Sequence, residues 1–353
     1  MKVTVNKYLN VRVGKPSVNA PCYQYLAPGS ELEVDGRLYP GETYKDINTW
    51  LKDGAGNYYW SGGVDQTVLT SKILTSANWW MTNFRIPEAW AMGLSGKGIK
   101  IAILDTGVFY PHPALNLDAQ LFKDVTNSPS GSMDVNGHGT HCAGIIKGYS
   151  SDRGQLGVAI NSVIYVCKIT HDEIGDINAY LVDGIKWATS NGVDIISISK
   201  GDPQDDPDVD EELQKAFQAG ILIVAAAGNK IAGYPDDHIY YPARNPVTLS
   251  VGGVDDTKIP LTDSILTGET NLFAPGKQIL STYLNSGYLN LSGSSQATPF
   301  VAGACALLLE FARKTKPDYK AVELKKFLLN NPKPFPSINC LDIVNTINLI
   351  NHV

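Results

Sequence analysis

The chain has 353 residues, room for two domains at roughly 150 residues each. Hydrophobic residues make up 43% and charged residues 18%, a globular composition that excludes intrinsic disorder. With 29 Lys and Arg against 35 Asp and Glu, the net charge of −6 has the wrong sign for a surface that binds nucleic acid or an anionic membrane.

The first residues, Met1–Gly14, alternate polar and apolar side chains and predict a strand, since a secretory leader would show a basic end followed by a solid apolar run. Further alternating runs, Leu9–Val13, Glu31–Val34, Trp50–Lys52 and Tyr58–Trp60, are separated by the turn signals GKPS, APGS, DG, PG and DGAGN. Residues 1–65 therefore predict a small all-β barrel, and their seven basic and seven acidic residues leave no basic patch. Leu9-Asn10-Val11-Arg12-Val13-Gly14 and Trp50-Leu51-Lys52-Asp53, leading to Gly56-Asn57-Tyr58-Tyr59-Trp60, resemble a bacterial SH3-type (SH3b) barrel. That resemblance implies a peptide or cell-wall fragment as partner, held in a groove that Tyr44, Tyr58, Tyr59 and Trp60 could line; the same aromatics could instead fill a small core. Residues 66–82 read as a linker, and 83–353 as a second domain.

From residue 83 onward, apolar runs of strand length (Ile99–Leu104, Val163–Lys168, Ile195–Ser199, Leu222–Ala226, Thr248–Val251) alternate with helical patterns at His138–Ile146, Asn178–Ser190, Asp210–Ala219 and Thr298–Lys314. Continuous apolar strands between amphipathic helices predict an α/β fold, a buried parallel sheet with helices on both faces. No uninterrupted apolar stretch approaches the ~20 residues of a membrane span. The five cysteines form no CxxC pair and read as reduced, buried thiols of a cytoplasmic protein.

Three motifs stand in order along this part. Ile101–Gly107 is an apolar strand ending in Asp105, and the C-terminal end of a parallel strand is where open α/β sheets place their sites. Asn136–Gly144 sets His138 at the mouth of a helix between glycines, and Leu291–Pro299 sets Ser295 at the start of a long helix, where the dipole favours developing negative charge. Together they resemble the subtilisin-like serine proteases, the subtilases of peptidase family S8, over residues 83–350. The resemblance implies a subtilisin-like fold, a triad of Asp105, His138 and Ser295, and Asn229 in Ile223–Asn229 as oxyanion donor. It also implies a substrate-binding edge at Ser199, Lys200 and Gly201 and a specificity pocket floored by Tyr240. Tyr240 is bulkier than the residue that usually floors that pocket. The pocket is therefore expected to be shallow and to prefer small side chains, or polar ones through Lys200.

The acidic segment 202–212 carries seven acids, read as helix capping by Asp208 or Asp210 together with a lip that would attract basic peptides. Tyr149–Gly154 matches the family's calcium loop, but Ala114 stands where a carboxylate ligand is usual. No metal is expected at that site, and no cofactor is called for; calcium elsewhere stays open. The expected function is a serine endopeptidase working through an acyl-enzyme on a protein or peptide substrate. A dedicated precursor-peptide maturation protease and a peptide-binding pseudoprotease are the alternatives.

Overall fold

In the computed structural model, residues 2–34, 39–45, 47–65, 79–150, 155–173, 178–230, 237–265, 267–330 and 338–352 are described. They divide into two units, Met1–Thr82 with Ser150–Gln155, and Asn83–Tyr149 with Leu156–Val353. Most of the predicted linker, 66–78, and residues 151–154 of the predicted calcium loop lie outside the described residues. The last part of the linker differs from expectation, since Trp79–Asn83 is helical.

In the N-terminal unit the alternating runs form strands: β1 (Lys2–Thr4), β2 (Leu9–Val13), β3 (Cys22–Leu26), β4 (Glu31–Glu33), β5 (Tyr39–Tyr44), β6 (Ile47–Lys52) and β7 (Asn57–Trp60). They make an antiparallel sheet in the order β3-β2-β7-β6-β5 and a separate β1-β4 pair. Val3, Val5, Leu9, Leu32, Trp50, Leu51, Tyr59 and Trp60 form one core, in which the adjacent pairs Trp50-Leu51 and Tyr59-Trp60 are buried on both sides of β6 and β7. Strands β3 and β5, the two edges of that sheet, escaped prediction; β3 lacks a buried side, and its Tyr23 and Tyr25 are exposed. The DGAGN turn is held by Asp53, which accepts from Ala55 N at 3.0 Å, Asn57 N at 2.8 Å and the Tyr59 hydroxyl at 2.6 Å.

The larger unit is built on β8 (Lys100–Asp105), β9 (Phe122–Asp124), β10 (Val163–Lys168), β11 (Ile195–Ile198), β12 (Leu222–Ala226), β13 (Leu249–Val254) and β14 (Leu272–Pro275). These form one parallel sheet in the order β14-β13-β12-β11-β8-β10-β9. Every residue of β11, β12, β13 and β14 is buried, so the strands read as continuous apolar runs. The principal helices are α1 (His138–Lys147), α2 (Asn178–Ser190), α3 (Pro207–Gln218) and α4 (Ser294–Thr315). A hairpin of β15 (Ile279–Thr282) and β16 (Tyr288–Leu291) precedes α4.

Two helices begin earlier than the pattern suggests. In α3, Pro207 takes the first turn and Asp206 is the cap, accepting from Asp208 N at 3.0 Å; neither Asp208 nor Asp210 has that role. In α4 the helix starts at Ser294, and Pro299 lies inside it. This helix is apolar and long enough to cross a membrane, but 83% of its apolar window is buried, as suits the central core helix. Its small and hydroxylic residues (Ser294, Ser295, Thr298, Gly303) hide that length from a search for unbroken apolar runs.

Candidate active site

Asp105 sits at the C-terminal end of β8, fully buried, with its Oδ1 2.8 Å from His138 Nδ1 and accepting from Thr106 N at 2.8 Å. The close approach of the strand end to α1 depends on glycine, because a Cβ at Gly139 would lie 2.2 Å from the Gly107 carbonyl oxygen. Burial pushes the Asp105 carboxyl up, yet the His138 ring, the field of Lys200 and the Thr106 N–H outweigh it and hold the group at about 2. Asp105 is thus a carboxylate that orients the ring and fixes which nitrogen faces it.

His141, one turn further on, is wholly buried, and its Nε2 lies 3.0 Å from the carbonyl oxygens of Ile279 and Leu289 in the hairpin. Burial lowers it to about 4, so it stays neutral and holds α1 to the hairpin.

Ser295 lies in the first turn of α4, half-buried. Proline at 299 has no N–H to donate to the carbonyl four residues back, which belongs to Ser295. That carbonyl accepts instead from Ser199 Oγ at 3.0 Å and from the Cys142 thiol at 3.7 Å. The Ser295 hydroxyl in turn donates to the Ser199 carbonyl at 2.9 Å. The reciprocal pair fixes the serine to the end of β11. Cys142 Sγ also lies 3.9 Å from His138 Nδ1, so one side chain touches both the histidine ring and the serine's backbone.

The expected hydrogen bond from Ser295 to the imidazole is not among those formed; the resting hydroxyl points at Ser199. Because His138 Nδ1 is taken by Asp105, Nε2 is the ring nitrogen that stays available.

Asn229 follows β12, and its Oδ1 accepts from Ser294 N at 3.1 Å. Using the oxygen in this way commits Nδ2 as the outward donor. A side chain at Gly293, whose φ is 149°, would bring a Cβ within 3.0 Å of Nδ2, so glycine keeps that approach clear. Asp105, His138, Ser295 and Asn229 thus come from four separate elements to one end of the sheet.

The ring of Tyr240 packs between two backbone segments. A Cβ at Gly228 would stand 2.8 Å from Tyr240 Cγ, and one at Gly201 3.1 Å from Tyr240 Cβ. Tyr240 N donates to Ala227 O at 2.9 Å, and Tyr241 N to Asp202 O at 2.8 Å, so the ring is tied to both walls. Lys200 is half-buried beside Ser199 and has no carboxylate within ion-pair distance among the described residues.

The acids of 202–212 cap and brace local structure, as expected, while Asp205 and Glu211 keep 63% and 68% of their side chains exposed. Asp205 pairs with Arg244 at 2.7 Å, Asp206 caps α3, Asp210 accepts from the Tyr241 hydroxyl at 2.9 Å and from Asn245, and Glu211 and Glu212 pair with Lys215. Each bond spends charge on local structure.

One residue with a large role escaped the sequence reading. Asp134, 2% exposed, accepts five hydrogen bonds around the start of α1. The signal for it was an acid four residues before His138, followed by Asn136-Gly137, a turn pair that needs an acceptor.

The subtilase family, Peptidase S8, matches residues 96–339. Among curated relatives, subtilisin DY of Bacillus licheniformis is 37% identical over 62% of this chain and 79% of its own. An alkaline protease of Alkalihalobacillus alcalophilus is 33% identical over 84% of this chain and 73% of its own. The major intracellular serine protease of Bacillus subtilis (strain 168) is 38% identical over 65% and 74%. Among solved structures, the prenylagaramide maturation protease PagA superimposes with a TM-score of 0.66 at 28% identity, covering 75% of this chain and 98% of that one. The chain belongs to the subtilase family of serine endopeptidases.

Proposed function

We propose that Ser295 is the nucleophile of this endopeptidase, His138 its general base and then acid, Asp105 the carboxylate that orients the ring, and Asn229 the oxyanion donor. The 2.8 Å contact of His138 Nδ1 with buried Asp105 is the observation that carries the reading. As a substrate carbonyl enters, the Ser295 hydroxyl turns from the Ser199 carbonyl to His138 Nε2 and gives up its proton there as Oγ bonds to the carbonyl carbon. The oxyanion takes hydrogen bonds from Asn229 Nδ2 and Ser295 N–H at the positive end of α4. His138 then passes the proton to the leaving amine, and water hydrolyses the acyl-enzyme by the same route. No cofactor enters these steps.

Ser199, Lys200 and Gly201 offer a backbone edge to which an extended peptide can add as a strand. The Tyr240 ring occupies the space between that edge and Gly228, which favours small residues on the acyl side of the scissile bond. Profiling a peptide library with the wild type and Ser295→Ala tests both parts. The wild type should cleave after small or polar residues and Ser295→Ala should be inert; efficient cleavage after large aromatic residues would contradict the pocket, and an active Ser295→Ala would contradict the nucleophile.

A second reading is a dedicated precursor-maturation protease, favoured by the similarity to a maturation protease along 98% of that chain and by the narrowed pocket. A cytoplasmic setting is supported by the free cysteines, of which Cys142, Cys167, Cys305 and Cys340 are buried.

For the N-terminal unit we propose an SH3b-like barrel with a peptide or cell-wall ligand. Of the expected groove residues, Tyr59 is buried in the core, whereas Tyr44 and Trp60 both line a cavity of this unit. Tyr44, edge-on to Trp60 at 4.9 Å, shares that cavity of about 210 Å³ with Tyr8, Lys7 and Arg12.

A further inference from the structure

We infer that Asp134 is a positioning residue for the Asp105–His138 pair, and the inference rests on the catalytic roles proposed above. Its Oδ1 accepts from Thr106 Oγ1 at 3.0 Å, Asn136 N at 2.9 Å and Gly137 N at 2.8 Å; its Oδ2 accepts from Thr140 N at 2.9 Å and Thr140 Oγ1 at 2.5 Å.

These five donors come from both sides of the pair. Thr106 follows Asp105 directly, while Asn136, Gly137 and Thr140 bracket His138. Thr106 Oγ1 closes the loop a second time by accepting from Gly139 N at 2.9 Å. A covalent and hydrogen-bonded ring therefore runs Asp105–Thr106–Asp134–Gly137–His138 and back to Asp105 through the 2.8 Å contact. Neither end of that contact can drift without stretching a bond to Asp134.

The carboxylate has no cation within ion-pair distance among the described residues. Backbone N–H groups at the start of α1 take that place, and such groups favour a negative charge. An amide of the same size keeps one acceptor oxygen but turns an NH₂ toward Thr140 N–H, two donors face to face. The loop is held in place from behind as well. Buried Lys168, aligned with Asp105 on the next strand, donates to Met133 O at 2.7 Å, Ser130 Oγ at 2.8 Å and Asp172 Oδ1 at 2.5 Å.

The function of this ring is geometric. Positioning errors near 1 Å cost on the order of 100-fold in rate, and such losses fall on kcat rather than KM when the groups act only in the transition state.

The test compares Asp134→Asn, Thr106→Val, Thr106→Ser and the control Asp194→Asn. Asp194 ties down the opposite end of β8, accepting from Lys100 N at 2.9 Å and pairing with Arg313. Asp134→Asn should lower kcat about 100-fold with KM within about 3-fold, and Thr106→Val about 10-fold. Thr106→Ser, which keeps the hydroxyl, should return to within about 2-fold of wild type. The low-field proton resonance of the His138–Asp105 hydrogen bond should move upfield in the first two variants and stay put in Asp194→Asn at a similar loss of Tm. Unchanged kcat and resonance in folded Asp134→Asn, or in Thr106→Val should the former not fold, would overturn the inference. A wild type without peptidase activity would sink the catalytic reading instead, while the resonance, which needs no turnover, would still report on the ring.

Discussion

The two units solve the problem of a polar site on an apolar frame in different ways. In the larger unit the parallel sheet is buried throughout, and its chemistry gathers where strands end: Asp105 after β8, Ser199 after β11, Asn229 after β12. In the N-terminal unit Trp50, Tyr59 and Trp60 join the core, while Tyr23 and Tyr25 on the face of edge strand β3 are 86% and 63% exposed. A site at strand ends is fixed by the whole sheet, whereas one on a strand face depends only on register. The first should tolerate change in its surroundings poorly and lose rate; the second should lose local stability and little else.

The largest expected effect lies at a strand end. Asp105→Asn should cut kcat about 10⁴-fold with the fold intact, because an amide holds the wrong tautomer of His138; steady-state kinetics would show it, and a loss under 10-fold would break the comparison. Next comes Asn229→Ala, expected to lose about 10²–10³-fold in kcat, a magnitude measured on subtilisin itself and borrowed here. A loss confined to KM would mean that Asn229 binds the ground state.

Stability should follow pH in two steps. His141 is held neutral at about 4 against an ordinary 6.5, so the unfolded chain binds the extra proton between those values and stability falls as pH drops through that window. Buried His112, also lowered by burial, shares in it. Asp105, held at about 2 against 3.8, contributes stability above 3.8 that disappears toward pH 2. Thermal melts from pH 7 to 2 should show both steps, and Asp105→Asn should flatten only the lower one.

The smallest effect belongs to the N-terminal unit. Tyr59→Phe removes the 2.6 Å hydrogen bond to Asp53 and should cost about 1–2 kcal/mol of that unit's stability. A Tm drop in a melt of the whole chain with kcat unchanged would sharpen the contrast between strand face and strand end.

The sequence exposed β8, β10, β11 and β12 to within a residue and β13 with its end three residues short, since these strands are almost wholly buried, but it did not expose β9 or β14. It also carried the four residues that the structure gathers at one end of the sheet. It hid β3, whose side chains face outward, and it misplaced the start of α4, because Pro299 looks like a first-turn proline and instead frees the Ser295 carbonyl for Ser199. Asp134 showed in the sequence only as an acid ahead of the Asn136-Gly137 turn, because its role lies in five donors brought together by folding. The resting orientation of the Ser295 hydroxyl is likewise a property of the cleft and not of any motif.

Reaction of the full-length protein with a fluorophosphonate, followed by peptide mass mapping, tests the central claim most directly. The account predicts one adduct per chain on Ser295, abolished in Ser295→Ala and slowed in Asp105→Asn. A folded protein that stays unlabelled, or carries the adduct on another residue, would contradict it.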